Sequence, residues 1–418
     1  MDRIVVVGAS LAGLSALEAL RGAGYEGELV AIGAEAALPY DRPPLSKQVL
    51  QGAWEPEQAN LRDAAHYEPL EIDWRLGRRA ASLDLERRAV ALDDGEPLAF
   101  DGLVIATGAT PRNLPDSSGT PPAPGSSGTP RAPGTPPLAG VFVLRTLEDC
   151  LALRKELEGG PRVCVVGGGF IGSEVAATCR SRGLEVTVLE ALPAPLARAF
   201  PAEMGAACAA LHQDHGVDLR TSAGVEGLDG RDRVERVRLA GGGSVAADVV
   251  VVGVGVVPAT DWLESSGLEL RNGVVCDETC ATAAPGVVAA GDIARWPNRL
   301  FGEEMRIEHW SNAVEQGAAA AKRLLASPEA AEPFAPVPYF WSDQYDTKIQ
   351  FLGRAAPDDA MAVVDGSLAD GRFVALFGRA GRVVGALAFN RPRQLMAYRR
   401  LIAGATSWDD ALAKAAAG

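Results

Sequence analysis

One pattern, used twice, constrains this chain more than anything else in it. A short β-branched run meets a glycine-rich turn, a helix-forming segment follows, and a second apolar run ends on an acid. The first copy spans Ile4 to Glu35. Ile4 to Val7 are too few and too β-branched for anything but a strand inside a parallel sheet. Gly8-Ala9-Ser10-Leu11-Ala12-Gly13 comes next, then helix formers through Leu20, then Leu29 to Ile32 leading into Gly33-Ala34-Glu35. Such a βαβ unit lets backbone amides at a helix N-terminus approach a pyrophosphate, with Glu35 placed to accept hydrogen bonds from an adenosine ribose. Ser10 stands where the middle glycine of the fingerprint is expected.

The second copy is complete. Val163-Cys164-Val165-Val166 reads as a strand, Gly167-Gly168-Gly169-Phe170-Ile171-Gly172 is a full GxGxxG, and Ser173 to Arg182 is a predicted helix. Val186 to Leu189 closes on Glu190, 23 positions after Gly167. That spacing fits a dinucleotide site. Glu190 favours a free ribose 2′-hydroxyl, and Ala191-Leu192-Pro193 offers no arginine to a 2′-phosphate, so NADH is expected over NADPH.

Length and charge narrow the remaining choices. At 418 residues there is room for two or three domains, and a net charge of −14 speaks against a nucleic-acid surface. Met1-Asp2-Arg3 leads straight into a strand, and the longest apolar run, Val249 to Pro258, falls far short of the roughly 20 residues of a bilayer span. A cytoplasmic protein with no membrane segment is expected. Cys276 and Cys280 lack a companion pair for zinc and read, like the other four cysteines, as isolated buried thiols. His212 and His215, beside Gly216, read as a solvated helix terminus rather than a metal pair. No metal site is expected.

Between these landmarks, Tyr40-Asp41-Arg42-Pro43-Pro44-Leu45-Ser46-Lys47 is a proline-stiffened, charged loop in which Ser46 can cap a helix. Trp74 to Phe100 reads as short antiparallel strands, and Leu103 to Gly108 as a buried strand ending in a small-residue turn. Pro111 to Pro137 is nearly all proline, glycine, serine and threonine, the composition of a flexible or polyproline-like connection. A strand ending at Gly291-Asp292 delivers a carboxylate at its C-terminal end, where Asp292 could also cap a helix. Ser311 to Leu325 reads as a helix with small residues on its packing face. From Pro333 strands and hairpins take over, closing on a helix near Leu395 to Ala403. Gly371 to Trp408 holds seven arginines and no acid.

Taken in order, VGASLAG, PYDRPPLSK, LVIATGA, LRTLED, VVGGGFIGSEVA, TVLE, VGVGVVP, AAGD, HWSNAVEQG and FWSDQYD make the chain resemble the FAD-dependent NADH:ferredoxin reductases of the rubredoxin and putidaredoxin type. The resemblance covers nearly everything outside the Pro111–Pro137 stretch. It implies an α/β fold with two Rossmann-like domains. An FAD domain (1–111 and 258–330) would be interrupted by the loop (112–140) and an NAD domain (141–257), and a C-terminal α+β domain (331–418) would follow. It implies a monomer or homodimer that takes electrons from NADH through FAD to a [2Fe–2S] ferredoxin serving a cytochrome P450 or oxygenase.

Residue by residue, the resemblance assigns Gly8, Ser10, Ala12 and Gly13 to the FAD pyrophosphate turn and Glu35 to its ribose. Arg42, Lys47, Ala80, Thr107, Gly108 and Arg145 would contact FAD elsewhere, Asp292 would meet its ribityl chain, and Trp310 and Trp341 its isoalloxazine. Gly167, Gly169, Ile171, Gly172, Glu190 and Gly255 fall to NADH. Lys47 and Glu174 are expected to pair at the flavin–nicotinamide contact, the lysine near flavin N5. Disulfide-reducing relatives need a redox thiol beside the flavin, and no cysteine precedes Cys150. Electrons must therefore leave to a partner or to a diffusible acceptor, and the C-terminal arginines, Arg379, Arg382, Arg391 and Arg393 among them, suit an acidic ferredoxin. The alternatives are a redox-responsive interaction protein like the apoptosis-inducing-factor relatives, and a reductase for rubredoxin or a small molecule.

Overall fold

The structure, a computed structural model, describes residues 1–114 and 138–417. From residue 115 on, the Pro111–Pro137 stretch lies outside the described residues. Contacts sort the chain into two units: Met1–Asp41, Asn60–Ala109 and Val257–Phe340 form the first, and Arg42–Ala59, Thr110–Val256 and Trp341–Gly418 the second.

The first unit is built on a five-stranded parallel sheet in the order Val287–Ala289, Gly102–Ile105, Arg3–Val7, Glu28–Gly33, Ile72–Leu76. Its strand order reverses beside Arg3–Val7, and the glycine turn leaves from that strand's C-terminal end, where open α/β sheets bind ligands. The helix Leu11–Gly22 buries Ala12, Ala16, Leu17 and Leu20 against the sheet and against Ala313, Ala320, Ala321 and Leu324 of the helix Trp310–Leu325. The expected small-residue face is there. A Cβ at Gly317 would stand 2.4 Å from the Ala12 carbonyl oxygen, so only glycine lets the two helices come this close.

Part of the Trp74–Phe100 reading needs correction. Ile72–Leu76 is a parallel edge strand of the main sheet, half-buried at every residue, and so offers no alternating burial. Only Ala80–Asp84, Ala89–Leu92 and Pro97–Ala99 form the antiparallel sheet.

The second unit repeats the scheme: Asp218–Arg220, Val186–Leu189, Val163–Val166, Val249–Val252, Val141–Phe142, all parallel. It also holds most of a five-stranded sheet ordered Tyr339–Gln344, Thr347–Gly353, Arg382–Phe389, Arg372–Arg379, Ala360–Ser367. The last four strands pair antiparallel. The closing helix is divided. Pro392–Ala397 and Arg399–Ala403 meet at Tyr398, and a further helix, Trp408–Ala416, starts where the Ser407 hydroxyl accepts from the Asp410 amide. Among the described residues no helix is long and apolar enough to cross a membrane.

Candidate functional site: two glycine cradles and a buried lysine–glutamate pair

In the first unit the turn after Val7 is held by contacts only glycine permits. Gly8 has φ +118°, and a Cβ there would lie 2.1 Å from the Ala106 carbonyl oxygen; one at Gly13 would lie 1.9 Å from the Gly8 oxygen. Ser10 is the N-cap residue of Leu11–Gly22, yet its side chain makes no capping bond and no acid stands in the first turn. The first amides of this 12-residue helix are left to an anion. A Cβ at Gly291 would come within 2.9 Å of the Ala12 Cβ, so the Gly291–Ile293 turn brings Asp292 to the same cradle.

Asp292 is not an α-helix cap; it sits inside that 3₁₀ turn, behind Ala290. The turn is fixed from behind, since the Gly291 amide donates to Gln316 Oε1 at 2.9 Å and Arg306 donates to the Asp292 carbonyl at 2.8 Å. Glu35 accepts a hydrogen bond from the Tyr40 hydroxyl. Thr107 donates to the Ala259 carbonyl at 3.0 Å, whose amide in turn donates to the Gly108 carbonyl. Ala80 opens the small antiparallel sheet. Trp310, 37% exposed, donates from its indole to Asp41 Oδ1 at 2.8 Å.

The second unit builds the same cradle. A Cβ at Gly167 would meet the Gly253 oxygen at 2.4 Å and one at Gly172 the Gly167 oxygen at 2.1 Å, whereas Gly169 has nothing within 4 Å of where a Cβ would go. The helix Phe170–Ser181 also begins without a side-chain cap or a first-turn acid. By contrast, Leu147–Glu156 carries a capping box from Thr146 and Asp149. Trp310–Leu325 also begins without a side-chain cap or a first-turn acid, so an open end alone marks nothing. The two helices that pair an open end with a tight glycine turn are those at the fingerprints, an arrangement that fits two dinucleotides. Ile171 is half exposed at the open end. The Glu190 carboxylate accepts the Gly168 and Leu192 amides, each at 2.8 Å. Gly255, φ +99°, follows the strand beyond Gly253.

The same unit brings Lys47 to Glu174. Lys47 Nζ lies 2.8 Å from Glu174 Oε2, with the side chains 12% and 4% exposed. The Ser46 hydroxyl donates to that oxygen at 2.5 Å and the Ser342 hydroxyl to Oε1 at 2.8 Å. Ser46 therefore does not cap a helix. It lies in the 3₁₀ turn Pro43–Ser46, and Lys47 holds the N-cap position of Gln48–Gln51. Three bonds tie this segment down: Thr178 Oγ1 to the Ser46 carbonyl at 2.7 Å, Arg182 to the Leu50 carbonyl at 2.8 Å, and Cys150 Sγ to the Leu45 carbonyl at 3.1 Å. Arg42 donates to the Arg145 carbonyl. Trp341 precedes Ser342 on the strand Tyr339–Gln344.

Sequence reasoning passed over Ser342, Gln344, Tyr40 and Gln316. Ser342 and Gln344 were within reach, because polar residues two apart beside Trp341 mark a strand with both faces in use. His212 is a correction. It is fully buried, with Nε2 3.0 Å from Ser173 Oγ and Nδ1 2.7 Å from the Tyr345 hydroxyl, and burial pulls its pKa down to about 4. The partner hydroxyls come from residues 39 and 133 positions away, so the local sequence around Gly216 could not show them. All six cysteines are free and buried. Burial pushes the thiols of Cys150, Cys164, Cys179, Cys208 and Cys280 up to about 12, and that of Cys276 up as well.

This geometry agrees with what known proteins share. The family model described as pyridine nucleotide-disulphide oxidoreductase matches residues 2–317. The chain belongs to that family. A second model, reductase C-terminal, matches residues 339–417. The ferredoxin–NAD(+) reductase component of the anthranilate 1,2-dioxygenase system of Burkholderia cepacia is 39% identical over 414 residues, 96% of this chain and 94% of that protein. Among solved structures, the reductase of the covalent putidaredoxin reductase–putidaredoxin complex superposes with a TM-score of 0.89 at 32% identity, covering 100% of this chain and 98% of that one. The ferredoxin reductase for the CYP199A2 system of Rhodopseudomonas palustris gives 0.89 at 33%, covering both chains fully. In this member of the family all six cysteines are free and buried, and none precedes Cys150.

Proposed function

We propose that the chain is an NADH-dependent ferredoxin reductase, an FAD flavoprotein that passes electrons from NADH to a [2Fe–2S] ferredoxin serving an oxygenase or cytochrome P450. One observation carries this reading: two uncapped glycine cradles stand in one chain whose six cysteines are all free and buried. Two dinucleotides without a thiol relay call for an acceptor outside the chain. FAD, when bound, supplies the conversion of a two-electron hydride into single electrons.

The chain's own residues supply position and charge. The Ser10–Gly13 turn and Asp292 hold FAD in the domain of residues 1–111 and 258–330, with Glu35 on the ribose and Trp310 and Trp341 against the ring. Arg42, Arg145, Ala80, Thr107 and Gly108 complete its contacts. The Gly167–Gly172 turn, Ile171 and Gly255 hold NADH in the domain of residues 141–257. Glu190 selects NADH over NADPH: two backbone amides hold its carboxylate, and an acid at this position of the fingerprint favours a ribose 2′-hydroxyl over a 2′-phosphate. Lys47 presents a cation to the reacting edge, and Glu174 keeps it aimed there. Lys47→Met should slow flavin reduction on the order of a hundredfold, the scale of removing one preorganised electrostatic donor.

The ferredoxin docks on the C-terminal domain, residues 331–418. Of the four arginines first considered, Arg379 is engaged with buried Asp359 and Arg391 with Asp365, both acids lying just before the arginine-rich run. Arg382 is half-buried, while Arg393 is exposed and leads the patch. Arg393→Glu should raise the ferredoxin KM about fivefold at low salt and less at high salt; a salt-independent KM would exclude steering by this face.

The deciding experiment is an anaerobic titration of the purified protein with NADH, then NADPH, followed in the visible spectrum. Bleaching of a flavin band by NADH in preference, and its return on adding a [2Fe–2S] ferredoxin, is the expected result. No bound flavin, or bleaching without electron passage to an iron–sulfur acceptor, would overturn it in favour of a redox-responsive interaction protein.

A further inference from the structure

The helix Phe170–Ser181 buries two consecutive polar side chains, Ser173 and Glu174, and the hairpin of the C-terminal domain reaches both. Glu174 Oε2 is taken by Lys47 and Ser46, and Oε1 by Ser342. Ser342 has a single proton to give. Gln344 Nε2 donates to the Ser342 oxygen at 3.2 Å, filling its acceptor side and turning that proton toward Glu174. Both residues are almost wholly buried, at 0% and 1% exposure, on one face of the strand Tyr339–Gln344; Trp341 and Asp343, of intermediate exposure, alternate with them.

A second tether fixes the neighbouring residue. Ser173 is bonded to His212, and His212 to the Tyr345 hydroxyl at the hairpin turn, where Tyr345 has φ +56° and stacks on His215 with ring centroids 3.9 Å apart. The hairpin thus ties down the hydroxyl at 173, through His212, and the carboxylate at 174 together.

We propose that Ser342, oriented by Gln344, is the positioning residue of the Lys47–Glu174 pair. Its bond fixes the last torsion of Glu174, so that Oε2 faces Lys47 and the ammonium keeps one direction. The proposal rests on the role given to that pair above. A serine that merely satisfied a buried carboxylate would, when removed, change stability and nothing else.

Ser342→Ala and Gln344→Met, made in the wild-type chain and in Glu174→Gln, separate the two. Acylation of Lys47 by acetic anhydride near neutral pH, read by mass spectrometry on the flavin-loaded protein, reports how firmly the lysine is held. Anaerobic rapid mixing with NADH reports flavin reduction. Ser342→Ala should acylate Lys47 several-fold faster near neutral pH, because a carboxylate free to turn no longer holds the lysine in its shielded position, away from the reagent. It should lower the limiting reduction rate on the order of tenfold, the scale of a lost hydrogen bond to a charged group, with the NADH KM within about twofold. Gln344→Met should move both in the same direction by less, and in Glu174→Gln neither variant should add anything. Wild-type acylation and reduction in Ser342→Ala, or an undiminished effect in Glu174→Gln, would overturn the proposal. A wild-type protein that NADH does not bleach would sink the enzymatic role, while the labelling would still decide whether Ser342 aims Lys47.

Discussion

The two glycine turns close in the same way and then part company. In both, the first and last glycines sit where a Cβ would strike a carbonyl oxygen, at 2.1 and 1.9 Å in the first unit and 2.4 and 2.1 Å in the second. In neither does a side chain cap the helix that follows. The helices themselves differ. Leu11–Gly22 buries small and aliphatic residues against Trp310–Leu325, and only Ser15 is polar among them. Phe170–Ser181 buries Ser173, Glu174 and Thr178, each with a polar partner. One helix is a packing element behind its cradle; the other carries the charged pair. Burying the two hydroxyls without partners would cost about 1–3 kcal/mol each, and the carboxylate more, so the partners from other segments are a condition of the fold.

The most damaging way to probe this likeness is at the last glycine of each turn. Gly13→Ala and Gly172→Ala drive a methyl into backbone that has nowhere to move, at a cost of about 3 kcal/mol each. Because the contacts are alike, the two variants should lose similar thermal stability. Their phenotypes should differ: Gly13→Ala should purify without its flavin, whereas Gly172→Ala should keep flavin absorbance and lose reduction by NADH. Equal loss of flavin in both would break the division of labour between the cradles.

The polar second helix should also make its unit sensitive to acid. His212, neutral and bonded to Ser173, has its pKa pulled from 6.5 to about 4 by burial, with a smaller push from His215. The folded pKa is the lower one, so the unfolded chain takes up the proton first. Stability is intact above pH 6.5 and falls as the pH drops toward 4, where the folded protein protonates as well and the loss levels off at about 3 kcal/mol. Unfolding midpoints in urea between pH 7 and 4 would show it. His212→Gln should be less stable at pH 7 but should flatten that slope; an unchanged slope would place the acid sensitivity elsewhere.

Much of this was legible in the residues because it is local. Both βαβ units and their acids follow from motif spacing, since strand, turn and helix are specified within about 30 residues. The pairing of Lys47 with Glu174, 127 positions apart, was expected from the resemblance and not from spacing. What escaped was long-range or compensated. Ile72–Leu76 joined the parallel sheet because an edge strand half-buried throughout carries no alternation to read. His212 looked solvated because its partners lie on another helix and a distant hairpin. The arginine run looked unopposed because Asp359 and Asp365 lie just before it in sequence and beside it in space. Ser342 gave no local signal because the carboxylate it serves lies 168 positions away.

The smallest and sharpest test concerns the middle position, where the turns differ: Ser10 in one, Gly169 in the other. The outer glycines are demanded by the chain's own backbone; the middle one is not, since a Cβ at Gly169 meets nothing within 4 Å. That open space is what a pyrophosphate would occupy, so the residue there should matter to the ligand and hardly to the fold. Gly169→Ser should leave the thermal midpoint nearly unchanged, within about 0.5 kcal/mol, because the added atoms face open space. It should raise the NADH KM about fivefold by crowding the phosphates, a loss near 1 kcal/mol. Ser10→Gly should do the reverse at the first cradle, tightening FAD by about twofold to threefold in apoprotein reconstitution, offset in part by the backbone entropy glycine adds to the unfolded chain. If Gly169→Ser instead lowered stability as much as Gly172→Ala, all three glycines would be packing residues, and the cradle would no longer distinguish what the fold requires from what the ligand does.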